Sequence, residues 1–246
     1  MPAVALIPAR WQAARFPGKP LVAIAGVPML HRVIDGARRS KRVREVIVAT
    51  DDPRIADACA SFGARCVMTR ASHATGTDRI AEVAAELSDD VIVNVQGDEP
   101  LIEGFVIDAL VDALAADPDV PMATVAHAAS DAALADPNRV KVVLDRKGRA
   151  LYFSRAPIPA RRDASGAHAP TLQHVGLYAY RRAFLLELVR LPQTPLERSE
   201  ALEQLRALEH GHPIRVALVE GWRSVPVDVP EDVVRVEAAL RESGRC

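Results

Sequence analysis

The first half of the chain alternates short apolar runs with stretches whose apolar residues recur at helical spacing, and few folds accommodate that rhythm. The runs at 3–7, 45–49, 64–68 and 90–95 are rich in Val, Ile and Ala and too short for helices, so they read as buried strands. Ile80, Val83, Ala84 and Leu87 fall on one helical stripe, and Ile107, Leu110, Val111 and Leu114 on another. Strand, helix and strand in succession form the βαβ unit, which requires a mainly parallel sheet with helices on its faces. After about residue 120 the pattern becomes β-rich, with strands expected at 121–127, 140–144, 150–153, 174–180 and 214–219. The expected architecture is one α/β domain over 1–246 in which roughly 120–220 form a mixed-sheet lobe. Thr194-Pro195-Leu196-Glu197 combines an N-cap, a first-turn proline and a capping-box acid, which predicts a helix from there to about Leu208. Residues 163–170 have no period and read as a loop.

Several functions are excluded early. No two glycines stand at G-x-G spacing, and Gly18-Lys19 is followed by Pro20, so neither the dinucleotide fingerprint nor the P-loop is present. Lys plus Arg (31) nearly cancels Asp plus Glu (32), which argues against nucleic acid as a partner. The three cysteines show no C-x-x-C pair, which points to a reducing cytoplasm rather than a disulfide framework. No run approaches the length of a membrane span. The cluster Arg38, Arg39, Lys41, Arg42 and Arg44 reads as a solvated helix end.

Chemistry is concentrated where strands end. Pro8 to Pro20 holds three prolines and Arg10, Arg15 and Lys19, so it is not a regular helix. Leaving the carboxyl end of the first strand, it is placed as a polyphosphate cradle; a solvated, proline-stiffened loop is the plain alternative. The strand Val91–Val95 runs into Gln96-Gly97-Asp98-Glu99-Pro100 at the same sheet edge. Asp98 there suits a hard cation such as Mg²⁺ beside bound phosphate, or it caps the next turn. Asp228-Val229-Pro230-Glu231 has the same two readings, a metal ligand or a helix start. His73 to Arg79 opens a helix whose amides suit an anion or a base carbonyl, or are simply capped. In 174–180, alternation puts Val175, Leu177 and Ala179 on one face and His174, Gly176 and Tyr178 on the other, the second suited to a polar ligand together with Arg155, Glu203 and Gln204.

At these residues the chain resembles the nucleotide-sugar cytidylyltransferases, specifically the 3-deoxy-manno-octulosonate cytidylyltransferase (CMP-KDO synthetase) family. The likeness runs through Ile7-Pro8-Ala9-Arg10, Pro17-Gly18-Lys19-Pro20-Leu21, Ala49-Thr50-Asp51-Asp52, Gly76-Thr77-Asp78-Arg79 and Val93-Asn94-Val95-Gln96-Gly97-Asp98-Glu99-Pro100. It continues through Val140-Lys141-Val142-Val143, Tyr152–Pro159, His174–Tyr178, Leu202–Arg206 and Val227–Asp232. The resemblance implies a Rossmann-like nucleotidyltransferase fold acting as a homodimer, with CTP and KDO as substrates and CMP-KDO for lipopolysaccharide biosynthesis as product. By the same resemblance Arg10, Lys19 and Asp98 are catalytic, Asp98 and Asp228 bind Mg²⁺, and Ala9, Arg10, Arg15, Lys19, Arg70, Thr75, Gly76, Thr77 and Gln96 surround the nucleotide. Arg155, His174, Tyr178, Glu203 and Gln204 are implied to line the sugar pocket. The chain carries Trp11, Ala13, Ala14, Phe16 and Val229 where the family pattern has Tyr, small hydroxyl residues, Leu and Thr. Two alternatives accompany this reading: a cytidylyltransferase for another acidic sugar such as 8-amino-KDO, and a non-catalytic CTP-binding homologue.

Overall fold

A computed structural model describes residues 3–12, 16–160 and 169–244. Its elements run β1 (Ala3–Ala9), a 3₁₀ turn (Lys19–Leu21), β2 (Ala23–Ile24), β3 (Val27–Pro28), α1 (Met29–Arg38), β4 (Val43–Thr50), α2 (Pro53–Ser61) and β5 (Arg65–Met68). Then come α3 (Gly76–Ala85), β6 (Val91–Asn94), α4 (Gly104–Ala116), β7 (Met122–Ala128), α5 (Asp131–Ala135), β8 (Lys141–Leu144), β9 (Ala150–Ser154) and β10 (Leu172–Arg181). The chain closes with α6 (Arg182–Leu188), α7 (Pro195–Glu200), α8 (Gln204–Glu209), β11 (Ile214–Leu218) and α9 (Asp232–Glu242).

The main sheet has the order β11-β7-β10-β6-β1-β4-β5, with β8 added on β10 and β9 on β8. β1 is parallel to β4 and β6, and β4 to β5, while β10 is antiparallel to β6, β7 and β8. The strands after residue 120 therefore extend the first sheet. Chain order leaves β1 in opposite directions, toward β4 on one side and β6 on the other, and an open α/β sheet presents its ligand crevice at that reversal. The loops after β1 and β6 both open there.

Core residues explain the layers. Ile7, Val48, Val93 and Leu177 pack with Leu30, Ile34, Ile107 and Leu110 on one face, while Leu6, Ile47 and Ile92 pack with Ile80, Val83, Leu185 and Leu205 on the other. The predicted alternation in β10 holds, because Val175, Leu177 and Ala179 all enter the first cluster. A side chain at Gly36 would stand 2.3 Å from the Ile102 carbonyl, so glycine is what lets α1 lie against the segment entering α4.

The helix expected over 194–208 is instead two, α7 and α8, separated by Ala201 in the left-handed region at φ 51°. Tertiary contacts decide this. Arg155 Nε donates to the Glu200 carbonyl at 2.7 Å, and its Nη2 reaches the Ala201 carbonyl, oxygens a continuous helix would use itself. Leu202 and Leu205 are turned into the core by the corner. The short helix α5, capped by Ser130, falls between the strands expected at 121–127 and 140–144, where no helix is predicted. Most of the 163–170 loop lies outside the described residues.

Candidate active site

The turn after β1 delivers Lys19. Gly18 adopts φ 75°, its N–H donates to the Trp11 carbonyl at 2.9 Å, and Lys19 N–H donates to the Phe16 carbonyl at 3.1 Å. Arg54 lies 3.7 Å above the Trp11 ring, so the aromatic packs between the turn and α2. Lys19 Nζ donates to Asp98 Oδ2 at 2.8 Å and to the Val227 carbonyl at 2.9 Å, and it lies 3.9 Å from Asp228 Oδ1. The two aspartates, 130 positions apart in the sequence, thus flank one ammonium group.

Asp228 is brought there by backbone and apolar packing. Val227 N–H donates to the Asp98 carbonyl at 3.0 Å. Val227 is buried with Ile24, Met29, Leu101, Val236 and Leu240, a small core that fastens α9 against β2 and the turn before α1. Asp228 does not cap the following helix: α9 begins only at Asp232, and the Asp232 carboxylate accepts from the N–H groups of Asp228 and Val229 at 2.7 and 3.1 Å. Asp52, in contrast, does cap, accepting from Arg54 N–H at 3.0 Å.

Residues on the implied nucleotide side gather at the same edge. Arg10 Nη2 donates to the His73 carbonyl at 2.7 Å. Thr75 and Asp78 form a capping box, and a side chain at Gly76 would meet Pro8 at 3.1 Å, so the start of α3 sits against the end of β1. Ala9 is buried at that end, and Gln96 Nε2 reaches Asn94 Oδ1 at 3.4 Å. Arg70 is largely exposed and pairs with Glu82, which also holds His73. Arg15, with Ala13 and Ala14, lies outside the described residues.

On the other side of β6 a cleft of about 230 Å³ is lined by His174, Gly176, Tyr178, Gln204, Glu99 and Arg139, among others. His174 and Thr124 Oγ1 are 2.9 Å apart, and Thr124 also donates to the Leu177 carbonyl at 2.8 Å, so His174 Nε2 carries the proton. Burial pushes the imidazole from 6.5 down to about 3 and raises the Tyr178 hydroxyl well above its ordinary range. The unfolded chain accepts the histidine proton first, so this group lowers stability as pH falls from 6.5 toward about 3. An NMR titration of the ring nitrogens is expected to find His174 neutral down to about pH 5; a ring protonated at pH 6 would contradict this setting.

Two members of the expected sugar set stand elsewhere. Arg155 is not among the lining residues; its guanidinium is held by the carbonyls of Pro137, Glu200 and Ala201. Glu203 accepts from Thr77 Oγ1 at 2.7 Å, joining α8 to the start of α3, and burial raises its pKa. Arg79, which enters the sequence motif only as its last residue, is fully buried; its Nη1 donates to Thr69 Oγ1 at 2.5 Å and its Nη2 lies 3.1 Å from Asp51. It ties together the loops after β4 and β5, and a helical position next to a cap is no signal for that.

Chemically, the edge offers a fixed ammonium, two carboxylates and a nearby guanidinium, an arrangement that handles phosphate and a hard cation. A family model described as cytidylyltransferase matches residues 4–215. The chain is 53% identical to 3-deoxy-manno-octulosonate cytidylyltransferase of Syntrophotalea carbinolica, over 98% of this chain and 99% of that protein. It is 52% identical to the protein of the same name from Solibacter usitatus, over 97% and 94% of the two chains. Among solved structures, CMP:2-keto-3-deoxy-manno-octonic acid synthetase complexed with CTP superposes with a TM-score of 0.93 at 43% identity, covering 99% of this chain and all of that one. Fold and site therefore define a nucleotidyltransferase of the cytidylyltransferase class. Within that class, the full-length likeness is decisive: the chain belongs to the 3-deoxy-manno-octulosonate cytidylyltransferase family.

Proposed function

We propose that this protein transfers CMP from CTP to 3-deoxy-D-manno-octulosonate (KDO), releasing pyrophosphate and supplying CMP-KDO for lipopolysaccharide biosynthesis. The observation that carries the reading is Lys19 held between Asp98 and Asp228 at the sheet reversal, in a chain that matches its named relatives from end to end. Attack of the anomeric hydroxyl on the α-phosphorus forms one P–O bond and breaks the bond to the β-phosphate. Negative charge grows between the entering oxygen and the departing pyrophosphate, and fixed cations stabilise it without a covalent intermediate. Lys19 and Arg10 supply such charge; the edge around Ala9, Gln96, Arg70 and the Thr75-Gly76-Thr77 turn receives the nucleoside.

Mg²⁺ fits the donor set. Among the described residues no group of three or more metal-ligating side chains is gathered. Two carboxylates alone is the complement a magnesium ion takes when phosphate and water complete its shell. Asp98 and Asp228 would hold the ion, which when bound would neutralise phosphate oxygens and polarise the α-phosphorus. Among the described residues no helix is long and apolar enough to cross a membrane; the cytoplasm is the compartment we propose. A homodimer is the assembly we propose.

A pyrophosphate-release assay with CTP, Mg²⁺ and a panel of sugar acids tests the reading. Turnover with KDO, exceeding that with sialic acid or a neutral hexose, is expected. Binding of CTP without pyrophosphate release under any sugar would make the protein a non-catalytic homologue instead.

A further inference from the structure

The acceptor proposed above carries its carboxylate on the same carbon as the attacking hydroxyl. That anion enters the cleft with the reacting end of the sugar, and a carboxylate leaving water needs a cationic partner. Among the cations of the second half of the chain, Arg139 lines this cleft, while Arg155 and Lys141 are held by nearby backbone carbonyls. Arg155 is engaged with three backbone carbonyls. Lys141 is fully buried, and its ammonium donates to the carbonyls of Asp136, Arg139 and Arg155 at 3.0, 2.6 and 2.5 Å, which uses all three of its protons. Arg139 differs from both. Its Nε is 3.9 Å from Asp136 Oδ2, beyond hydrogen-bond range, and its side chain is 27% exposed.

Arg139 also has the right place. It lines the cleft of His174, Tyr178 and Gln204 and equally the adjoining cavity of about 300 Å³ that holds His127 and Arg223, the two spaces sharing Gln173 and Ser224 as well. Gln204 Nε2, Glu99 Oε2 and His127 Nε2 are buried in these walls with no hydrogen-bond partner among the described residues. Such groups are costly unless a polar ligand completes them. Arg139, on the shared wall, and Arg223, in the adjoining cavity, both act on His127 electrostatically, so both guanidinium groups stand close to the place where the two spaces meet.

Resting on the reaction proposed above, we propose that Arg139, supported by Arg223, binds the carboxylate of the sugar acid and makes the protein selective for ulosonic acids over their neutral counterparts. Lys141 is then a positioning residue, clamping the 136–139 turn so that the guanidinium faces the cleft. The test compares KDO with its methyl ester, each with CTP and Mg²⁺. The wild type is measured first, because an absence of turnover with KDO would sink the reaction itself, whereas the variants bear on Arg139 alone. Arg139→Ala is expected to raise the KM for KDO by about 10- to 100-fold, the worth of a charged hydrogen bond, with the KM for CTP unchanged. Most of the preference for KDO over the ester should vanish with it. Arg139→Lys should recover part of the loss, and Arg223→Ala should show a smaller rise in the same direction. If Arg139→Ala folds poorly, Arg139→Gln, which keeps the stem, gives the same comparison. An unchanged KM for KDO, a rise shared equally by the ester, or a rise in the KM for CTP instead would each overturn the proposal.

Discussion

Lys19→Ala is expected to cut pyrophosphate release from CTP and KDO by about a hundredfold or more, the usual loss when one preorganised charge donor leaves such a site. The ammonium is placed by several independent contacts, from the Gly18 turn to the Val227 carbonyl, so its position needs no rearrangement at the moment of reaction. Its loss also leaves Asp98 and Asp228 without the cation between them. Lys19→Arg is not a rescue, because the planar guanidinium does not reproduce a point charge reaching two carboxylates and a carbonyl. Asp98→Asn, which keeps the shape and removes the charge, should produce a comparable loss. Steady-state pyrophosphate release, with far-UV circular dichroism as the folding control, reads both; near wild-type turnover in either refutes the role assigned to that residue.

The largest loss of stability is expected at Glu197→Ala. Arg206 donates two hydrogen bonds to that carboxylate, Nε to Oε2 at 2.9 Å and Nη2 to Oε1 at 2.5 Å, and both side chains are almost fully buried. Glu197 additionally accepts from Thr194 N–H as part of the capping box of α7. Removing it strands a buried guanidinium and uncaps the helix, at a cost of about 3–5 kcal/mol. For a chain of this length that corresponds to a drop in Tm of roughly 10 °C. Replacing both partners with Met should be far milder, since no unpaired charge remains. Calorimetric melting of the single and double variants checks this; a single variant within about 1 kcal/mol of wild type would show that Arg206 finds other partners.

The two residues also mark what sequence can and cannot disclose. Lys19 and Asp98 were legible because buried parallel strands are written as apolar runs, and the loops after two neighbouring strands must share an edge. The strands at 45–49 and 90–95 appear within a residue or two as β4 and β6 for the same reason. Asp228 was ambiguous because an acid before a proline reads alike as cap or ligand, and only the fold shows that Asp232, not Asp228, accepts from the N–H groups there. The corner at Ala201 was hidden, since it is imposed by Arg155, which lies 46 residues away in the chain. Arg155 and Lys141 were equally opaque. A cation that serves backbone carbonyls has the same letter as one that serves a substrate.

The hydrogen bond from Val227 to the Asp98 carbonyl has a consequence for biosynthesis. The second acid beside Lys19 is contributed by a segment beyond residue 215, outside the stretch that the cytidylyltransferase family model matches. A nascent polypeptide emerging from the ribosome can assemble its sheet and fold the lysine turn while still lacking that acid. The contact between Lys19 and Asp228 is therefore completed only once the segment carrying Val227 has been synthesised and docked.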